Sequence, residues 1–314
     1  MSRCLIVRFS AIGDVVMSVP VAVSIRKAIP ECEIWWVAEK PCEQVLDTPS
    51  LIHTVVESPR LKNQRFKLSA WRTRLAAYAR LRHADFEFGL DLQGQVKTAV
   101  CLRVSGARKR LSVPTSDGLA ARLNPCAKFD IQSMHAVEVG LKTLTQLGAF
   151  EQQPEWQMPS LEGETKAMSQ HIDRKLVTIS VGGSFEDKRY PIEMWSQVAQ
   201  ALTGDGFNVA FLGGPGDPEP TTGLNLVGKT SLRESMALVK SSALHLAADT
   251  GTGHIAAAYG VPVVSIFGPT NATRFRPYSD RGVVLQRERD PASVPVEDVI
   301  SAAKKLLEAH ANTH

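Results

Sequence analysis

The sequence is short of the features that identify most enzyme classes directly. Its five cysteines (Cys4, Cys32, Cys42, Cys101 and Cys126) are odd in number and form no CxxC pair. That argues against a zinc site and for free thiols in a reducing compartment. No GxGxxG follows the first apolar run, and no acidic residue stands where a dinucleotide ribose would need one, so an NAD enzyme is not expected. A P-loop NTPase is not expected either. GxSxG is absent, which leaves an esterase elbow unsupported. Also missing is an Asp-x-Asp pair, which would hold a divalent cation under a nucleotide diphosphate. Long apolar runs are missing too. At the start, Leu5 to Val7 gives way to Arg8 and Asp14, unlike a signal peptide. The uncharged stretch Val15 to Ile25 is too short to cross a bilayer. These absences lead us to expect a soluble, cytoplasmic protein without a metal or cofactor.

What is present is the balance of a globular protein: 314 residues, 44% apolar and 22% charged, enough for two domains. The net charge of +4 is too mild to imply nucleic acid. Its distribution is uneven. Between Arg60 and Arg82 lie eight basic residues (Arg60, Lys62, Arg65, Lys67, Arg72, Arg74, Arg80 and Arg82) and no Asp or Glu. A solvated helix face is one reading, and an anionic partner is the other.

Apolar, β-rich runs at Cys4–Ser10, Glu33–Glu39, His53–Ser58 and Phe86–Gly94 alternate with helical segments, the pattern of a doubly wound α/β domain. In the helix after the first run, Pro20 should produce a kink or end the first turns. The polar stretch around 156–175 reads as a linker. The pattern then restarts with Leu176–Ser184 and Phe207–Gly214. The expected division is an N-terminal domain at 1–155, a linker at 156–175 and a C-terminal domain at 176–314, whose last helix could return to the first domain. Two such halves make a cleft the natural place for a ligand.

Leu244–Thr270 (LHLAADTGTGHIAAAYGVPVVSIFGPT) organises the second half. It reads strand, tight loop, short helix, strand. The small residues at Gly251, Thr252 and Gly253 would let a ligand approach where a helix offers free N–H groups, which suits a phosphate. Asp249, Thr250 and His254 sit together at the carboxyl end of a strand, where ligands of open α/β sheets bind. Lys188 follows the first strand of this half on a loop that can converge with the Asp249 loop. With no Asp-x-Asp, a leaving diphosphate would depend on Lys188 or Arg189, a helix N-terminus and small-residue loops. In the first half, Asp14 ends the first strand–turn and reads either as a helix cap or as a functional carboxylate.

Taken in order, IVRFSAIGDVVMSVP, DLQGQVKTA, the Lys188 loop, GKTSL and ADTGTGHIAAA…VPVVSIFGPT resemble the bacterial lipopolysaccharide heptosyltransferases, most of all the heptosyltransferase I group. HAVEVGLKTLTQLG (His135–Gly148) adds to the likeness, which covers nearly the whole chain. The resemblance implies a GT-B fold, two Rossmann-like domains facing across a cleft. It also implies an inverting, metal-independent transfer of heptose from ADP-heptose to the Kdo of a lipid A-linked acceptor at the inner-membrane surface. By motif position, Asp14 corresponds to the general base and Lys188 to the lysine near the donor's phosphates and sugar. Asp249, Thr250, Gly251 and His254 correspond to the donor loop, and Ser184 and Thr230 line the nucleotide. Arg60, Lys62, Arg65 and Lys67 fall where the acceptor binds. Because Asp249 would repel a diphosphate, its expected partners are sugar hydroxyls. Two departures stand out. Only Pro215–Leu224 connects FLGGPGD to the next strand where the family has a helix, leaving Asp217 and Glu219 as the acidic residues near the ribose. Val139 also replaces the arginine that follows HAVE.

Overall fold

The β-rich runs form parallel strands that are largely buried on both faces, as parallel sheets covered by helices require. A computed structural model of the chain describes residues 2–59, 68–183 and 185–311. It divides into two compact units, 1–159 and 160–314.

In the N-terminal unit the order is β1 (Arg3–Val7), α1 (Ile12–Ala28), β2 (Glu33–Ala38), β3 (Thr54–Glu57), α2 (Leu68–Arg80), β4 (Phe88–Asp91), α3 (Val96–Val104), β5 (Lys109–Ser112), α4 (Gly118–Leu123) and α5 (Ala136–Thr145). The strands line up β3-β2-β1-β4-β5, all parallel. The winding reverses between β1 and β4. Val7, at the end of β1, pairs with both Val37 and Asp91. Helix α1 is buried almost throughout, from Val15 to Ile25. Pro20 neither kinks it into two elements nor ends it. The missing N–H of Pro20 would have served the Val16 carbonyl four residues back; Trp156 Nε1 donates to that carbonyl instead, at 3.0 Å.

The C-terminal unit runs α6 (Glu162–Ala167), β6 (Leu176–Ser180), α7 (Ile192–Gly204), β7 (Asn208–Leu212), β8 (Leu224–Asn225), α8 (Leu232–Lys240), β9 (Leu244–Ala248), α9 (Gly251–Ala258), β10 (Val263–Ile266), α10 (Ala272–Phe275), β11 (Gly282–Leu285) and α11 (Val296–Ala311). Its sheet order is β11-β10-β9-β6-β7-β8. The winding reverses between β6 and β9. Helix α11 lays Val296, Val299, Ala303 and Leu307, at helical spacing, into the core of this same unit. The expected linker is shared out. Trp156 and Gln157 bond within the N-terminal unit, while α6 is tied to α8 by the Arg233–Glu164 pair at 2.5 Å.

Between β7 and β8 the chain crosses without a helix, as the short Pro215–Leu224 connection requires, and β8 pairs through only two residues. Gly223–Thr230 (GLNLVGKT) does spell GxxxxGK[ST], so only the backbone can exclude a P-loop. In a P-loop the strand precedes the glycines and the helix N-terminus faces phosphate. Here β8 lies inside the string, and Glu234 N–H in the first turn of α8 donates to the Ser231 hydroxyl at 3.2 Å. The string is not a P-loop. No described helix is long and apolar enough to cross a membrane.

Candidate active site

The reversal of winding between β6 and β9 opens a crevice at their carboxyl ends, where the outgoing loops part. Lys188 reaches it from the loop after β6, and Asp249 stands directly after β9. Lys188 Nζ donates to Asp249 Oδ2 at 2.7 Å, with the two side chains 27% and 10% exposed. The loops converge as the sequence suggests, and Asp249 is the charge partner of Lys188.

Thr250 is the N-cap residue of α9, yet its hydroxyl meets Thr252 Oγ1 at 2.9 Å and makes no cap bond. The first-turn N–H groups that begin at Gly251 therefore have no side-chain cap. Packing is tight at Gly253 as well: a Cβ there would sit 3.3 Å from the Pro277 ring. His254 is buried within α9.

A second ion pair braces the neighbouring loops. Asp217 Oδ1 accepts from Arg189 at 3.2 Å, and its Oδ2 accepts from Gly214 N–H at 2.8 Å. The carboxylate lies so close to the β6 loop that a Cβ on Gly182 would come within 2.4 Å of Oδ2. Asp217 is thus committed to holding the β6 and β7 loops together, whereas exposed Glu219 accepts only from Asn225 at 2.8 Å. The turn before α8 joins the same edge through Gly228 N–H to Gly213 O, 3.0 Å, and brings Thr230 with it, its hydroxyl 2.8 Å from Ser235 Oγ. Ser184 lies outside the described residues.

In the N-terminal unit the equivalent crevice lies between β1 and β4. Asp14, in the first turn of α1, uses Oδ2 to accept from Ala11 N–H at 3.1 Å and Oδ1 to pair with Arg8 at 2.7 Å. One carboxylate therefore both serves the helix start and pairs with a cation. Arg60, Lys62, Arg65 and Lys67 lie outside the described residues. Of the rest of the basic run, Arg72, Arg80 and Arg82 are exposed, but Arg74 is not. Its guanidinium is 4% exposed and pairs with Glu39, itself 7% exposed, at 2.9 Å, so it neutralises a buried carboxylate.

Sequence reasoning missed several groups. Asp91, at the end of β4, is fully buried; burial pushes its carboxyl up to about 6, against the pull of its Gly94, Gln93 and Thr98 donors. Burial pushes His245 down to about 3, so this core histidine on β9 is neutral, with Nδ1 2.9 Å from the Thr178 hydroxyl. Arg8 and Glu39 were read only as strand residues. Among the described residues no group of three His, Cys, Asp or Glu is placed to hold a metal ion.

Comparison with known proteins gives this geometry a family. The chain is 25% identical over 295 residues to the lipopolysaccharide core heptosyltransferase OpsX of Haemophilus influenzae, covering 88% of this chain and 81% of that one. It is 26% identical over 290 residues to lipopolysaccharide heptosyltransferase 1 of Pseudomonas aeruginosa, covering 86% and 79%. The fold superposes on E. coli heptosyltransferase WaaC with ADP at a TM-score of 0.77 and 20% identity, over 98% and 99% of the two chains. That places the two parallel sheets in the GT-B architecture. Residues 74–299 match the profile of glycosyltransferase family 9 (heptosyltransferase), and the chain belongs to this family of glycosyltransferases.

Proposed function

We propose that this glycosyltransferase moves L-glycero-D-manno-heptose from ADP-heptose to the Kdo of a lipid A-linked acceptor, by inverting displacement without a metal, at the cytoplasmic face of the inner membrane. The observation that carries the donor half is the Lys188–Asp249 pair at the β6/β9 crevice, beside the uncapped first turn of α9. A cation and free N–H donors suit a departing diphosphate. Thr250, Gly251, His254, Thr230 and Ser184 complete the donor set, and Arg60, Lys62, Arg65 and Lys67 the acceptor set. Asp14 serves as general base. The acceptor oxygen attacks the anomeric carbon as its proton passes to the Asp14 carboxylate, and the bond to the diphosphate breaks with its electrons leaving on ADP.

A different acceptor, a later core heptose or a protein, is the second reading. What favours it is Val139, which stands buried at 6% exposure where the resemblance implies an arginine. A nucleotide-sugar-binding module without turnover is the rival of another class. Incubation with ADP-heptose and Kdo-lipid A, with and without EDTA, followed by mass spectrometry, separates these readings. One added heptose in both samples is expected. No mass gain on Kdo-lipid A sinks the acceptor assignment; gain abolished by EDTA sinks the metal-free leaving-group assignment.

A further inference from the structure

Arg8 belongs to no part of the site as drawn so far, yet its guanidinium spans two elements. One terminal nitrogen, NH2, pairs with Asp14 Oδ1 at 2.7 Å. The other, NH1, donates to the Leu92 carbonyl. Both ends of this bridge are fixed. On the β1 side, the Arg8 N–H donates to Val37 O at 3.3 Å and its carbonyl accepts from Trp36 Nε1 at 3.2 Å. On the β4 side, Leu92 N–H donates to Val7 O at 3.0 Å, and Asp91 Oδ1 holds the N–H groups of Gln93 and Gly94 at 2.9 Å each. Gln93 Oε1 in turn accepts the Phe9 N–H at 2.9 Å. Leu92 O is therefore a rigid anchor. The Arg8 side chain is 16% exposed, so the charge pair is shielded from most of the solvent.

We infer that Arg8 is the positioning residue for Asp14. It rests on the reading of Asp14 as the base. A planar fork that grips a fixed carbonyl with one nitrogen and a carboxylate with the other sets the direction in which the carboxylate faces. With Ala11 N–H on Oδ2, the Asp14 carboxylate is gripped at both oxygens and cannot rotate freely. Arg8 acts on the acceptor's proton only through Asp14. A lysine would keep the charge and lose the fork.

The test is a double-mutant cycle on the full chain, read as ADP release with ADP-heptose and Kdo-lipid A, alongside melting temperature. Arg8→Gln is expected to lower kcat tenfold or more with the KM for donor little changed. Arg8→Lys, which keeps the charge and loses the fork, is expected to recover only part of kcat. In an Asp14→Asn background, Arg8→Gln should cost nothing further. If Asp14→Asn lowers turnover but Arg8→Gln leaves kcat at the wild-type value, or lowers the residual rate of Asp14→Asn by the same factor as wild type, the positioning role is wrong and the base stands. If Asp14→Asn turns over at the wild-type rate, the base reading itself fails and takes this inference with it. Should Arg8→Gln not fold, Arg8→Lys decides: a wild-type kcat overturns the inference.

Discussion

At Asp91 a carboxyl is held in the protein interior although most of its neighbours favour the charged form. It accepts from Gln93 and Gly94 N–H and from the Thr98 hydroxyl, the last at 3.0 Å, but burial outweighs them and its pKa rises to about 6. An unfolded Asp titrates near 3.9. The folded state therefore binds the proton more tightly, so the contribution of Asp91 to stability is fully present below about pH 4 and is lost as pH rises through about 6, by on the order of 2–3 kcal/mol. Asn at this position can still accept from the two N–H groups and donate to Thr98 once the hydroxyl's single proton turns from this residue to the Gln95 carbonyl, 2.8 Å away. Asp91→Asn is expected to flatten the slope of stability between pH 4 and 6 in urea titrations; parallel curves for the two proteins would show that Asp91 is not its source. Such residues are hard to read from sequence. The positions of Asp14, Lys188 and Asp249 were legible because each follows an apolar, β-rich run. Their partners were not. Arg8 looks like an interruption of a buried run, and Glu39 and Arg74 meet across 35 positions, a pairing that leaves no periodic trace.

Among the elements, α1 shows why a proline does not settle a helix's fate by itself. Its Val16 carbonyl is served by Trp156, 140 residues away. Removing a buried donor and leaving its acceptor unpaired costs about 1–3 kcal/mol, so Trp156→Phe should destabilise the protein by that amount. Pro20→Ala restores a backbone N–H to the same carbonyl, and in that background the tryptophan change should cost clearly less. Equal costs in both backgrounds would mean that packing, not the hydrogen bond, is what Trp156 supplies. Helices and long strands were legible as helical segments alternating with apolar, β-rich runs. The short pieces were not: β5 is KRLS, half of it charged, and β8 is two residues at a sheet edge. The string GLNLVGKT shows the opposite failure. It has the right letters on the wrong backbone, because a strand occupies its middle.

Each unit has a hydrophobic core of its own, around Leu5, Val7, Phe9 and Phe86 in the N-terminal unit and around Ile179, Trp195, Phe211 and Val264 in the C-terminal one. Units with their own cores need not unfold together. Two calorimetric transitions are expected, and ADP should raise only the one that belongs to the C-terminal unit. At a hundredfold excess over Kd the gain is about 2.7 kcal/mol. A single transition would show that the units unfold together, and a shift confined to the other unit would contradict the proposed placement of the nucleotide. The two-domain, alternating pattern made this organisation legible; which charges meet inside each unit was not. The meeting of Lys188 with Asp249 also bears on timing. A diphosphate that takes the lysine has to win it from a carboxylate, so a ligand of low charge competes poorly. In the donor site proposed above, the carboxylate reclaims the lysine as ADP departs, and the pair acts as a return spring in a step that often limits turnover. ADP should then dissociate more slowly from Asp249→Asn in stopped-flow displacement, and an unchanged or faster off-rate would show that no such spring exists. On that reading the enzyme carries its own rival for the substrate's phosphates.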